Sequence, residues 1–198
     1  MARISKRIFR QYDIRGIYGD NLKNEDAELI GRAFGTYIRK KGEIAAIVGR
    51  DNRHSSPMLH KYLVKGLLET GIDVTDIGVV ITPIFYYSSY LYGINSGIMI
   101  TASHNPANYN GFKIQHSNRT LFGEEIQEIY QIIEKGIFES GNGSLTTKSP
   151  FEDYLQMIYE KIKLGPKKLK VVVDCGNGTA GLFAPKVFEK IGCEVKPI

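Results

Sequence analysis

The residues best suited to chemistry stand together in one polar segment, Thr101-Ala102-Ser103-His104-Asn105-Pro106. A serine hydroxyl becomes a nucleophile when a nearby base accepts its proton. Two bases are available to Ser103, because His104 is adjacent in sequence and Lys113 follows ten residues later. Serine, asparagine and proline are also common turn residues, and a Ser-His pair alone is more often part of a structural turn than of an active site.

This segment follows a predicted buried strand over residues 97–101. Two further apolar runs, at 44–48 and 72–77, have the length and composition of strands in the interior of a sheet. Open α/β sheets bind their ligands beyond the carboxyl ends of the strands. Ser103 therefore stands where such a sheet places its active site.

Helical patterns alternate with these strands. Apolar residues recur at helical spacing over 27–38, after Ser56-Pro57, after Thr82-Pro83 and over 124–134. The two pairs read as a capping residue followed by a first-turn proline. With a further extended piece at 111–115, this alternation predicts an α/β domain, and we expect three layers, α/β/α, around a mixed sheet.

The composition changes after residue 139. A Gly-, Ser-, Thr- and Asn-rich stretch leads into a predicted helix, after which a strand, a glycine-rich turn, a helix and the beginning of another strand follow. A βαβ unit that stops as its second strand begins cannot bury both faces of a sheet. We therefore predict a first domain over 1–140, a linker and connecting helix over 141–165, and an incomplete start of a second α/β domain over 166–198.

The net charge of +5 is confined to one short stretch. Residues 161–170 hold five lysines and no acid, and the remaining chain has 21 basic and 21 acidic residues. Nucleic-acid binding needs basic residues spread over a folded surface, so we expect no nucleic-acid partner. No apolar run approaches the length of a membrane span, and no apolar stretch follows the basic N-terminus. We expect no membrane association and a cytoplasmic location.

Four segments resemble the α-D-phosphohexomutases, in that family's order. The segment 101–113 (Thr-Ala-Ser-His-Asn-Pro-Ala-Asn-Tyr-Asn-Gly-Phe-Lys) is similar to the phosphoserine loop, and 9–16 (Phe-Arg-Gln-Tyr-Asp-Ile-Arg-Gly) to the opening of the phosphomannomutase/phosphoglucomutase branch. The segment 48–56 (Val-Gly-Arg-Asp-Asn-Arg-His-Ser-Ser) also fits, and 174–181 (Asp-Cys-Gly-Asn-Gly-Thr-Ala-Gly) resembles the turn that opens the second domain. The resemblance implies interconversion of hexose 1-phosphates and 6-phosphates.

The same resemblance assigns roles to individual residues. It implies that Ser103 carries a phosphoryl group, gives it to the sugar phosphate and recovers one from the other end of a bisphosphate intermediate. Arg15 would stand near the phosphoserine, since a guanidinium matches phosphate oxygens. Tyr12 and Asn105 would contribute to binding the substrate or its phosphate.

Two proton-transfer candidates remain open, His104 and Lys113. We prefer Lys113 slightly, because a desolvated lysine beside other cations releases its proton more readily. Arg15 has a structural alternative as well, an ion pair with Asp13 or Asp51.

Two neighbouring segments are interpreted as structural. Arg50, Asp51 and Arg53 follow a strand and precede a helix, so we expect them to act indirectly, by holding the active-site face. The glycine-rich turn 176–181 lacks the lysine of a phosphate-binding loop, and tight strand-to-helix packing accounts for it better.

The resemblance also implies Mg²⁺, with Ser103 as a ligand through its phosphate. The family's Asp-Gly-Asp-x-Asp-Arg segment, which supplies the metal's carboxylates, does not occur in this sequence. Because a hard cation needs several oxygen ligands, we expect this chain alone to be inactive. The alternative from another class is a non-catalytic module that binds sugar phosphates or a partner protein.

Overall fold

A mixed, seven-stranded sheet forms the centre of the fold. The structure, a computed structural model, describes residues 4–198. The strands of this sheet, in chain order, are β1 (Ile14–Ile17), β2 (Ala45–Arg50), β3 (Asp73–Val79), β4 (Gly97–Ile100), β5 (Tyr109–His116), β6 (Arg119–Thr120) and β7 (Leu145–Thr147). Their order is β1-β5-β4-β2-β3-β7, with β6 beside β5. The pairs β4–β2, β2–β3 and β3–β7 run parallel, whereas β5 is antiparallel to β1, β4 and β6.

Helices cover both faces of the sheet. The first core packs against α1 (Asn24–Arg39), α2 (Ser56–Glu69) and α4 (Glu124–Lys135), with fully buried residues such as Phe34 and Leu63. The second core, around Phe85 and Met99, lies under α3 (Thr82–Tyr92), against which α5 (Phe151–Lys161) packs. The predicted three-layer α/β/α architecture around a mixed sheet is confirmed.

Two glycines allow α1 and α2 to cross closely. A Cβ atom added at Gly31 would lie 2.4 Å from the Leu63 carbonyl oxygen, and one at Gly66 would lie 2.2 Å from the Glu28 carbonyl oxygen. Each glycine therefore faces the backbone of the other helix. This contact fixes the position of α2, whose first residue, Ser56, accepts a hydrogen bond from the Asn110 side chain of β5 at 3.0 Å.

The capping predictions at Ser56 and Thr82 are wrong. Each residue is the first of its helix rather than the cap, and the cap positions, Ser55 and Ile81, make no side-chain capping bond. The hydroxyl of Ser56 donates to Asp51 instead, at 2.5 Å. The prolines do lie in the first helical turn, as predicted.

The stretch after α4 adds a strand to the sheet. Within the segment predicted as a linker, β7 pairs in parallel with β3, from Leu145 opposite Val74 to Thr147 opposite Asp76. Its side chains are exposed, so the strand is held by backbone pairing rather than burial. Residues 141–147 thus extend the edge of the sheet before α5 begins.

The last part of the chain forms a separate two-stranded sheet. Strands β8 (Lys170–Val173) and β9 (Glu194–Pro197) are parallel, and α6 (Ala184–Lys190) connects them. Phe183, just before α6, packs on Phe151 of α5 with ring centroids 5.0 Å apart.

Within residues 4–198, no helix is long and apolar enough to cross a membrane.

Candidate functional site

The Ser103 loop, residues 101–108, connects β4 to β5 at the carboxyl end of β4. Ser103 has a φ of +56°, in the left-handed region that non-glycine residues adopt rarely. The Thr101 hydroxyl oxygen accepts a hydrogen bond from the Ser103 backbone N–H at 2.9 Å. This turn leaves the Ser103 side chain exposed.

Ser103, His104 and Asn105 line a cleft of about 1000 Å³. The Ser103 Oγ lies 3.3 Å from His104 Nδ1, within reach of a hydrogen bond. Because Ser103 and His104 are exposed, both can meet a ligand that enters the cleft. The pair has the geometry of a hydroxyl group with an adjacent base.

Arg15, on β1, is tied to this loop. Its Nη1 donates to Asn105 Oδ1 at 2.5 Å, and its Nη2 pairs with the Asp13 carboxylate. The Arg15 side chain is 11% exposed, and its buried Nε has no hydrogen-bond partner within residues 4–198. The structure thus shows both the ion pair with Asp13 and a position beside the loop.

Arg53 contacts the loop more extensively. Its guanidinium donates to four backbone carbonyl groups, those of Ser103, Asn105, Pro106 and Tyr109, at 2.6–3.1 Å. Its Nε donates to Asp51 Oδ2 at 3.1 Å. The sequence pointed to a holding role for this region. The four carbonyl partners lie 50 to 56 residues away in sequence, so no local sequence pattern predicts these hydrogen bonds.

A buried polar group lies under the same loop. The Asn110 side-chain amide donates to the hydroxyls of Ser55 and Ser56, at 2.8 and 3.0 Å, and Asn110 Oδ1 accepts from the Gly111 N–H at 2.8 Å. Asn110 and Ser56 are fully buried. These bonds join the start of α2 to β5 and satisfy polar atoms that would otherwise be costly to bury.

Arg15, Lys113 and Tyr12 do not line the cleft. Lys113 lies on β5 opposite Met99, two residues from Gly111, which lies opposite Arg15. It therefore shares a sheet face with Arg15. Lys113 is half-buried, and its side chain makes no hydrogen bond or ion pair with the rest of residues 4–198. Tyr12 is 67% exposed, three residues before Arg15.

The glycine-rich turn forms the other wall of the cleft. Asn52, in the loop after β2, bonds to it three times: its N–H donates to Thr179 Oγ1 at 3.1 Å, its Nδ2 to the Asn177 carbonyl at 3.1 Å, and its Oδ1 accepts from the Thr179 hydroxyl at 2.8 Å. Gly176 and Asn177 both have positive φ. The turn therefore contacts the loop after β2 and lines the same cleft as Ser103. Tight strand-to-helix packing stays an interpretation, because a Cβ atom added at Gly176 would meet nothing within 4 Å.

The donor set does not fit a magnesium site. Mg²⁺ takes near-octahedral oxygen ligands, commonly including one or two carboxylates. In the part of the chain that the structure describes, no three His, Cys, Asp or Glu side chains are grouped to hold a metal ion. Near the cleft, Asp51 is already engaged by Arg53 and Ser56. Ser103 alone is not a metal site.

Comparisons with known proteins agree with this geometry. Residues 6–140 match the family model described as phosphoglucomutase/phosphomannomutase, alpha/beta/alpha domain I. The chain is 47% identical to phosphomannomutase/phosphoglucomutase of Pseudomonas aeruginosa over 191 residues. The matched region covers 96% of this chain and 41% of that protein. It is 42% identical over 197 residues to phosphoglucomutase of Neisseria meningitidis, covering 98% and 43%.

A crystal structure of a phosphoglucomutase/phosphomannomutase family protein from Burkholderia thailandensis has the same fold, with a TM-score of 0.94 at 41% identity, over 98% of this chain and 44% of that one. The chain therefore spans less than half the length of these relatives. The family model nevertheless matches well over half of this chain, and the site residues lie on the matched part. This chain belongs to the phosphoglucomutase/phosphomannomutase family, with residues 6–140 as its α/β/α domain I.

Proposed function

We propose that this chain is the phosphoryl-carrying part of a hexose-phosphate mutase, with Ser103 as the carrier. The observation that supports this most directly is the exposed Ser103 hydroxyl in the cleft, with His104 Nδ1 at 3.3 Å. The relatives' names, phosphomannomutase and phosphoglucomutase, indicate hexose phosphates as the substrate class. Both glucose and mannose phosphates are candidates.

In the proposed reaction, the free hydroxyl of a hexose phosphate attacks the phosphorus of phosphorylated Ser103. The sugar O–P bond forms as the Ser103 Oγ–P bond breaks, which gives a bisphosphate, and the hydroxyl proton passes to a base. Transfer back from the opposite end of the bisphosphate restores phosphoserine and releases the isomer. Such transfers depend mainly on positioning and charge neutralisation.

Arg15 supplies positive charge that neutralises the phosphoryl group in this proposal. Its guanidinium is held beside the loop by Asp13 and Asn105. A fork of N–H groups suits phosphate oxygens. Asn105 positions Arg15, and exposed Tyr12 is available to a substrate approaching along β1.

His104 is the better supported proton-transfer group at Ser103. It lies within hydrogen-bond reach of the Ser103 Oγ, whereas Lys113 lies on β5 and outside the cleft lining. Lys113 has no charged partner within residues 4–198, so we infer a role toward the substrate's hydroxyl rather than toward Ser103. The Mg²⁺ expected from the resemblance stays a prediction for the full-length protein, because within residues 4–198 no group of metal-binding side chains accompanies the Ser103 oxygen.

Phosphopeptide mass spectrometry of the full-length protein, isolated from its native cells, tests the proposal. We expect phosphate on Ser103, and interconversion of glucose 1-phosphate and glucose 6-phosphate that Ser103→Ala abolishes. The 198-residue chain, assayed in parallel, is expected to be inactive. Phosphate-free Ser103 together with an active Ser103→Ala variant would contradict the mechanism, and binding of sugar phosphates without turnover in the full-length protein would favour the non-catalytic module.

A further inference from the structure

Arg53, which lies outside the Ser103 loop, binds the backbone of that loop. Arg53 Nη1 donates to the carbonyls of Pro106 and Tyr109, at 2.6 and 3.1 Å. Its Nη2 donates to those of Ser103 and Asn105, at 2.9 and 2.6 Å. One planar group thus binds three carbonyls of the loop and that of Tyr109, the first residue of β5.

Asp51 holds the Arg53 guanidinium on the side away from the loop carbonyls. Asp51 accepts from the Arg53 Nε and from the Arg53 backbone N–H, both at 3.1 Å, and from the Ser56 hydroxyl at 2.5 Å. The Arg53 side chain is 13% exposed and that of Asp51 is 9% exposed. Arg53 therefore has little freedom to follow the loop, and the loop is fixed relative to β2 and α2.

The conformation of Ser103 explains why such a support is needed. A φ of +56° is unfavourable for a residue with a Cβ atom, and it persists only where the surroundings determine it. The Ser103 side chain does not supply this restraint, because within residues 4–198 its Oγ has only the contact with His104, at 3.3 Å. The carbonyl that Arg53 binds at Ser103 belongs to the strained residue itself.

We propose that Arg53 is a positioning residue that holds Ser103 in its left-handed conformation and so directs the Oγ into the cleft. Its consequence for phosphoryl transfer rests on the proposed function of Ser103, whereas its effect on the loop does not. Lysine cannot replace it, because an ammonium group lacks the planar fork that reaches several carbonyls and Asp51 together.

Hydrogen exchange of this chain tests the hold on the loop. The amides of Ser103, Asn105 and Tyr109 are hydrogen-bonded within the loop and report its opening. We expect exchange at these amides to rise by about tenfold or more in both Arg53→Lys and Arg53→Ala, since several charge-assisted bonds are lost. Arg53→Lys keeps the charge and gives the result should Arg53→Ala fail to fold.

Arg39→Ala is the matched control. Arg39 Nη1 also donates to two backbone carbonyls, those of Thr70 and Ser140, each at 2.9 Å, but away from the cleft. Its removal should leave exchange in the Ser103 loop unchanged even if the protein is equally destabilised. Equal loop exchange in the wild type and both Arg53 variants would overturn the proposal.

Kinetics of the full-length protein separate the two proposals. We expect Arg53→Lys to lower kcat by about tenfold or more with little change in KM, and added guanidinium ion to restore part of the rate of Arg53→Ala but none for Arg39→Ala. A normal kcat in Arg53→Lys would overturn the positioning role. If Ser103 of the wild type never carries phosphate while loop exchange still responds to Arg53, the proposed function fails and the hold on the loop stands.

Discussion

Arg15 and Asn105 are 90 residues apart in sequence, and a hydrogen bond of 2.5 Å from Arg15 Nη1 to Asn105 Oδ1 joins them. The bond connects β1, at the edge of the sheet, to the loop that follows β4. With the Asp13 ion pair on its other nitrogen, Arg15 is oriented from two sides. The cation proposed to neutralise phosphate is therefore preorganised before substrate arrives.

Asn105→Ala should reduce turnover while leaving the fold intact. It removes a bond to a charged group, commonly worth about 1.5–3 kcal/mol, so we expect kcat/KM of the full-length protein to fall by about tenfold to a hundredfold. Asn95→Ala serves as the control, because Asn95 Oδ1 accepts a similar bond from Asn118, at 2.8 Å, at the opposite end of β4. Equal rates in the two variants would contradict the role of Asn105.

Ser103→Ala and Ser55→Ala should separate a chemical role from a structural one. Ser103→Ala is expected to abolish activity with little effect on the melting temperature, since the exposed hydroxyl contacts only His104 among residues 4–198. Ser55→Ala removes one of two acceptors of the Asn110 amide and should cost about 1 kcal/mol of unfolding free energy, with activity largely kept. Thermal unfolding and mutase assays on both variants check this.

Asp76 should make stability depend on acid pH. Burial opposes its ionisation, but contact with His60 Nε2 at 3.1 Å and the Gly78 N–H at 2.8 Å outweighs burial, and the pKa of Asp76 is lowered below its ordinary 3.8. A lowered pKa stabilises the folded state above about pH 4, and this stabilisation is lost as pH falls through the folded pKa.

Asp76→Asn is therefore expected to lower the free energy of unfolding at pH 7, and the difference from wild type should shrink below pH 3.8. Urea unfolding across this pH range measures it. Asp20→Asn, at an exposed turn, is the control. A wild-type advantage that stays constant or grows toward low pH would contradict the assignment.

Gly31→Ala should destabilise the protein despite the higher helix propensity of alanine. The added methyl group would meet the Leu63 carbonyl at 2.4 Å, so α1 and α2 must separate, at a cost of about 1–3 kcal/mol. Gly165→Ala is the control, because a Cβ atom there meets nothing within 4 Å. Denaturant melts of the two variants should differ clearly.

Limited proteolysis should identify the connection between the two sheets. Residues 161–170 are all exposed, and 162–169 lie between α5 and β8 without helix or strand. We expect trypsin to cut first after Lys163, Lys167 or Lys168, which would support the proposed division of the chain. Early cleavage within 44–101 would contradict this division, because that region contains β2, β3 and β4, the interior strands of the main sheet.

Most of the fold followed from periodicity, whereas the elements without an apolar signature did not. The long helices and the buried strands β2 to β4 carry regular apolar patterns. Strand β7 is Leu-Thr-Thr with exposed side chains, and only its backbone pairing with β3 makes it a strand. Serine is common at helix caps, which predicts Ser56 as a cap, but its hydroxyl donates to Asp51 instead.

The candidate site was predictable where it is contiguous in sequence. Ser103, His104 and Asn105 lie together in one segment, whereas the support from Arg53 and the contact of Asn52 with Thr179 join residues 50 or more positions apart. Thr179 belongs to the turn after β8, in the separate two-stranded sheet. Arg53 meets the Ser103 loop because β2 and β4 are neighbours in the main sheet. Only the strand order reveals that adjacency.

Asn52 and Arg53 are consecutive, and each holds a different wall of the cleft. A single peptide unit, about 3.8 Å between Cα atoms, therefore links the glycine-rich turn to the Ser103 loop. A rotation of the β8–α6–β9 unit must either break the bonds of Asn52 or pull on Arg53. The two walls of the cleft are thus connected through two adjacent residues. A change in the width of the cleft that keeps both sets of bonds would therefore also change the orientation of Ser103.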